Sequence, residues 1–275
     1  MARKSNGESV FSRVVRILEA FGPQASVLSV SELARQTGLS MPTVSRLVSE
    51  LVDQGWLVRD ADRGVRVGMR MWELATRASS TVDLCKEALP YAAELLADIG
   101  HHVQISVRQG QDLLIVERMS APGAIRLCDR FADRRPLHAS APGLVLLAHE
   151  SVAIQEAVLT GHLRRYTPHT VTDSKALRAM LSEIRSSGYA LCPGFLDPMV
   201  TAIAVPLQPL GEHVQAALSV IVPNNSAART AMTAVQATGA RICRAYADRS
   251  GAILGSADMA SARLPIGEIL SVGSA

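Results

Sequence analysis

The stretch SVSELARQTGLSMPTVSRLVSELVDQGWLVRDADRGVRVG, Ser29 to Gly68, constrains this chain more than any other. Ser29 and Glu32 head an apolar-periodic run at the spacing where a serine caps the third helical amide and the glutamate reaches back to the cap. Val30, Leu33 and Ala34 then share one face. Thr37, Gly38, Leu39 and Ser40 predict a turn, because glycine takes a positive φ without steric cost and Ser40 is suited to cap a second helix. Pro42 falls in the first turn of that helix, where its missing N–H is no loss. Val44, Leu47, Val48, Leu51 and Val52 recur at i, i+3, i+4, i+7 and i+8, which predicts a single buried stripe.

The opposite surface of the second helix carries Ser40, Pro42, Thr43, Ser45, Arg46 and Ser49. Short polar side chains and one arginine at a helix N-terminus suit the major groove, where they bring donors to base edges and phosphates. Gly55 ends the helix, and Leu57–Asp60 and Val65–Val67 predict two strands joined by Ala61–Gly64. Arg63 and Arg66 on that hairpin are placed to meet the DNA backbone. Cap, turn, stripe and hairpin agree on a winged helix-turn-helix, against an ordinary helical hairpin inside a larger domain.

Basic residues concentrate in the same region, with ten Lys or Arg against seven Asp or Glu in residues 1–70, in a chain whose net charge is +3. A modest excess of this size gives modest affinity per copy, so two or more copies are expected to share the phosphate contacts. At 275 residues the chain has room for two cores. The expected organisation is a flexible arm over 1–8, the winged helix-turn-helix over 9–68, a linker helix over 69–82, a second domain over 83–250 and a loose Gly, Ala and Ser-rich tail over 251–275. Val10, Val14, Ile17, Leu18 and Phe21 predict a leading helix for the first core. No apolar run approaches membrane-spanning length and MARKSNGES lacks the apolar core of a signal peptide, so a cytoplasmic protein without membrane partners is expected.

The second domain opens with a helix through Cys85, Ala88, Ala92, Leu95 and Ile99. An antiparallel hairpin comes next, His102 to Met119, with Ala124–Cys128 as an expected third strand. Pro142–His149, Val152–Leu159 and Asp173–Ser187 predict helices, Tyr189–Leu191, Thr201–Val205 and Val214–Val222 strands, and Ala228–Tyr246 a closing helix. The fold class is therefore α+β, an antiparallel sheet with segregated helices.

Motifs of enzyme chemistry are missing: no GxGxxG, P-loop, GxSxG or HExxH occurs. Cys85, Cys128, Cys192 and Cys243 form no CxxC pair, and His101-His102 on a strand point to opposite faces, so neither metal nor other cofactor is expected. One enzymatic reading stays open, hydrolysis of a small acyl compound by Cys192 or Ser140 with His138 as base.

The chain resembles the IclR family of bacterial transcriptional regulators over about residues 8–250, through SVSELARQTGLSMPTVSRLVSELVDQGWL, RRPLHASAPGLVLLA, TPHTVTD, SSGYAL and AALSVIVP. The resemblance implies no catalytic residues, a dimerising DNA-binding domain, and a GAF-like domain that binds a small organic effector. It also implies homodimers or tetramers on double-stranded operator DNA, as repressor or activator. Carried over by position, the effector pocket would be lined by Leu127 on the third strand, Ser140, Ala141, Pro142 and Gly143 at a helix opening, Cys192, Ala202, Ser219 and Ile221; His138 is a separate candidate for a structural or ligand-contacting role, read from the residues rather than from the resemblance. Cys192 stands where an acidic residue is common in the family, Ala202 where a cysteine is, and Ile221 where a second serine is; Pro142 cannot donate. Losing polar contacts while keeping apolar ones favours an aromatic carboxylic acid or related acyl compound, held by Ser219 and Ser140 with its ring against Leu127, Ile221 and Met199.

Overall fold

A computed structural model describes residues 8–22, 25–78, 80–127, 134–208, 214 and 216–261, in two units, Met1–Val82 and Asp83–Ala275. Arg3 and Lys4 of the expected arm, Cys128 of the expected third strand and residues 262–275 of the expected tail lie outside the described residues.

In the first unit, α1 (Val10–Glu19) begins where the Ser9 hydroxyl accepts the Ser12 amide at 3.0 Å. α2 (Val30–Thr37) closes a full capping box: Ser29 Oγ accepts the Glu32 amide at 3.2 Å and Glu32 Oε2 accepts the Ser29 amide at 2.8 Å. The same amide holds the Glu32 carboxyl below the usual carboxylate range. Gly38 takes φ 66°, turning the chain into α3 (Met41–Asp53). Ser40 occupies the N-cap position with extended backbone, but its hydroxyl pairs with the Thr43 hydroxyl at 2.8 Å and caps no amide, contrary to the sequence expectation. Pro42 lessens the need for a cap because it presents no N–H. β1 (Leu57–Arg59) and β2 (Val65–Val67) form the hairpin, with Val58 opposite Arg66. Leu28 adds a bridge to Val65, its amide donating at 2.9 Å and its carbonyl accepting at 2.8 Å. Ile17, Leu28, Leu33, Val44, Leu47, Val48, Leu57 and Val65 close the core over these elements. Residues 69–82, expected as one linker helix, contain α4 (Met69–Ala78) and the first turn of α5 (Ser80–Ile99), with residue 79 undescribed.

The second unit is a six-stranded antiparallel sheet in the order β5-β4-β3-β8-β7-β6. Its strands are β3 (His102–Gln109), β4 (Asp112–Ser120), β5 (Arg134–Pro136), β6 (Ala190–Pro193), β7 (Val200–Leu207) and β8 (Ala216–Pro223). Alternation along β8 sends Leu218, Val220 and Val222 toward α5 and α9 (Ala227–Ser261), and Ala217, Ser219 and Ile221 to the other face. That second face is covered in part by α6 (Ala141–Ala148), with α8 (Ser174–Ser187) packed in the same core, while α7 (Val152–Leu159) adjoins them. With both faces covered, all of β8 except Pro223 is buried, which is why it reads as an apolar run interrupted only by Ser219.

Two expectations need correction. Residues 124–127 are not a strand; the strand that pairs with the outer edge of β4, along Asp112–Leu114, is Arg134–Pro136, with Arg135 opposite Leu113. Helix α9 runs to Ser261 and so includes residues 251–261 of the expected loose tail, a segment with several alanines and no proline. Among the described residues no helix is long and apolar enough to cross a membrane.

Candidate functional site

Two surfaces carry the candidate chemistry. On α3 the buried stripe turns inward, leaving Ser40, Pro42, Ser45, Arg46 and Ser49 exposed and Thr43 half-buried. Arg46 pairs with Glu50 at 2.7 Å, and on the wing Arg66 pairs with Asp60 at 2.9 Å. These pairs are exposed and worth about 0–1 kcal/mol at most, so either arginine can exchange its carboxylate for a phosphate at small cost. Arg63 sits at the wing tip with φ 62°, its amide donating to Asp60 O at 3.0 Å.

Within the second unit, the sheet face next to α6 encloses a cavity of about 140 Å³. Leu127, Ser140, Pro142, Cys192, Ala202, Ser219 and Ile221 of the sequence-predicted set line it. Leu127 does so from a loop rather than a strand: the buried His102 ring pins that loop, Nδ1 to Ser120 Oγ at 2.8 Å and Nε2 to Ile125 O at 2.6 Å. Cys192 lies opposite Ala202, and Ala202 opposite Ile221, so the three positions that depart from the family pattern form one row across β6, β7 and β8. A single apolar stripe results. Burial pushes the Cys192 thiol far above its usual range, which makes it a poor nucleophile.

Four predicted residues stand elsewhere. Ala141 and Gly143 are buried within α6 and do not reach the cavity surface. Gly143 packs so tightly that a Cβ there would lie 2.5 Å from both Leu137 O and Ser140 Oγ, so its role is the close approach of α6 to the preceding 3-10 turn, Leu137–Ala139. His138 faces a second, more open cavity with Asp112, Arg164 and Tyr166, and its Nε2 bonds Arg164 O at 3.0 Å. Met199 is 66% exposed and touches no part of the cavity. The hydrolytic constellation therefore does not assemble: His138 is turned from Ser140 and Cys192, and Ser140 Oγ donates to Pro136 O at 2.9 Å.

Sequence reasoning missed the cavity's most polar members, Gln104, Arg135 and Asp197, together with Phe195. Arg135 comes from edge strand β5, and its Nε is buried. Asp197 lies in the β6–β7 connection, where its Oδ1 accepts the Met199 amide at 2.9 Å. The RRP and TPHT motifs were the available signals. Thr167 Oγ1 donates to Gly194 O and Thr170 Oγ1 to Phe195 O, each at 2.6 Å, so the second motif acts as a clamp on the connection that carries Phe195 and Asp197. Among the described residues no group of three or more His, Cys, Asp or Glu side chains is arranged to hold a metal ion.

Comparison with known proteins agrees with this architecture. Residues 10–61 match the IclR helix-turn-helix domain, and residues 76–244 match the bacterial transcriptional regulator IclR C-terminal domain. The chain is similar to the probable transcriptional regulator SauR of Cupriavidus necator, 30% identical over 81% of this chain and 88% of that protein. It is also similar to the HTH-type transcriptional regulator XynR of Escherichia coli, 29% identical over 75% and 83%. Among solved structures, an IclR homolog from Microbacterium hydrocarbonoxydans complexed with 4-hydroxybenzoate superposes with a TM-score of 0.82 at 37% identity, covering 86% of this chain and 99% of that one. Sequence, fold and relatives converge: this chain belongs to the IclR family of helix-turn-helix transcriptional regulators, which are not enzymes.

Proposed function

We propose that the chain binds an inverted-repeat operator in double-stranded DNA as a homodimer, or as a tetramer of such dimers, in the cytoplasm, and that an aromatic carboxylic acid in the second unit's cavity controls that binding at a catabolic operon. The carrying observation is the cavity itself. Its walls are mainly Leu, Ile, Val, Phe and Ala side chains, with the Arg135 cation at one edge. A dry apolar cavity of about 150 Å³ takes one benzene ring, so this space suits a single ring whose carboxylate reaches the arginine. The relative complexed with 4-hydroxybenzoate supports the same class. Exposed apolar side chains on α1 (Phe11, 75%) and α4 (Trp72, 64%) support pairing with a second copy through the first unit.

Two measurements test this. Thermal melts should rise with benzoate or 4-hydroxybenzoate, because a ligand that binds only the folded state stabilises it by mass action. Glyoxylate and pyruvate should give no rise; the opposite pattern would exclude an aromatic effector. For DNA, Arg46→Ala should weaken gel-shift affinity for the region flanking the gene by about 10-fold or more, the effect of removing one groove contact. Its melting temperature should stay put, since Arg46 is 58% exposed and lies off the apolar stripe. Unchanged affinity would remove Arg46 from the DNA contacts.

A further inference from the structure

Resting on the reading of the cavity as an aromatic-acid site, we infer that Asp197 selects an acid whose ring carries a hydrogen-bond donor, a hydroxyl or an amino group, on the side away from the carboxylate. Three observations lead there.

Arg135 and Asp197 approach the cavity from opposite borders of the sheet. Arg135 belongs to β5, the edge strand on one side, and Asp197 to the connection between β6 and β7 at the other, with β4, β3 and β8 between them. A monoanionic ligand is thereby oriented, its carboxylate attracted to the guanidinium and repelled by the aspartate. The ring's far substituent then meets Asp197.

Asp197 has acceptor capacity that the fold leaves unused. Oδ1 accepts the Met199 amide, and among the described residues Oδ2 takes no partner. An acceptor-only group facing a mainly apolar chamber favours a ligand that brings a donor, and disfavours one that strips its water and returns nothing. A ring bearing only hydrogen at that position makes no such bond.

The carboxylate is also held in place before any ligand arrives. Thr167 and Thr170 fix the Gly194 and Phe195 carbonyls, the Gly194 amide donates to Val200 O at 2.8 Å, and Asn224 anchors the turn through its amide to Met199 O at 2.9 Å and its Nδ2 to Pro198 O at 3.1 Å. A selector held this rigidly discriminates by geometry, because the loop cannot relax around the wrong substituent.

Calorimetric titration of the full chain with benzoate, 4-hydroxybenzoate, 3-hydroxybenzoate, 4-aminobenzoate and 4-methoxybenzoate tests the assignment. At least one donor-bearing acid should bind about 10-fold or more tightly than both benzoate and the methoxy acid, as expected for a hydrogen bond to a charged group. Asp197→Asn keeps an oxygen for the Met199 amide and replaces Oδ2 with a group that only donates, and Asp197→Ala removes both; in each the preference should collapse toward a ratio of one. Equal binding of all five acids by the unaltered chain, or a preference that survives both substitutions in proteins that melt normally, overturns the role of Asp197 and leaves the aromatic effector standing. Binding of none of them overturns both.

Discussion

Replacing Leu47 with alanine is expected to cost the first unit about 3 kcal/mol of stability, in the middle of the range for a large-to-small change in a packed core. Leu47 is 1% exposed, and it shares a core with Val44, Val48, Leu33, Ile17 and Leu57. That core is the main support of α3, since the Ser40 hydroxyl caps no helix amide and the other side of the helix faces solvent, with only the exposed Arg46–Glu50 pair on it. A domain of some 60 residues has only about 3–9 kcal/mol in total. The loss therefore removes a large part of it, and operator binding should fall with the folded fraction. Both tryptophans, Trp56 and Trp72, lie in the first unit, so fluorescence during urea unfolding reports on that unit directly. A midpoint shift equivalent to less than about 1 kcal/mol would mean that the site collapses around the lost side chain, and that the stripe is less central than its burial implies.

How much of this was legible from residues alone depends on the range of the interactions. The first domain's signals are local: the Ser29 and Glu32 box, Gly38 in the left-handed region and the apolar stripe of α3 each lie within a few residues. The bridge from Leu28 to Val65 was not legible, because nothing in either neighbourhood announces a partner so far along the chain. In the second domain the error over β5 has the same origin. Ala124–Cys128 alternates like a strand, whereas Arg134–Pro136 is three residues ending in proline, a pattern that an edge position tolerates and composition does not reveal.

The cavity shows the division most sharply. Resemblance supplied Leu127, Cys192, Ala202, Ser219 and Ile221, but not that Cys192, Ala202 and Ile221 are cross-strand neighbours, which depends on register. His138 and Met199, proposed from side-chain chemistry rather than from the resemblance, are turned elsewhere by the local backbone. Arg135 and Asp197 escaped because a single charged residue among 53 in the chain has no period and no motif of its own. Only the closing of the sheet over α6 gives them a common address.

Arg135→Met should weaken binding of benzoate-type acids by about 100-fold, within the 2–5 kcal/mol expected when one partner of a buried charge pair is truncated. Methionine is the informative replacement: it is unbranched and apolar, keeps much of the stem that packs beside Leu113, and removes only the cation and its donors. The alternatives for holding a carboxylate are weak. Ser140 already donates its one hydroxyl proton to Pro136 O, and Ser219 Oγ reaches Gln104 O at a long 3.5 Å. Pro142 has no N–H, so the opening of α6 lacks a donor that such a site would use. Benzamide, which keeps the ring without the charge, should bind the variant and the unaltered chain within about threefold, separating loss of charge recognition from loss of the cavity. Linkage then carries the effect to DNA: the benzoate concentration that half-changes operator affinity should rise by the same factor as the dissociation constant, whichever direction the response takes. If benzoate binds Arg135→Met as it binds the unaltered chain, Arg135 does not recognise the carboxylate, and the orientation drawn from it falls.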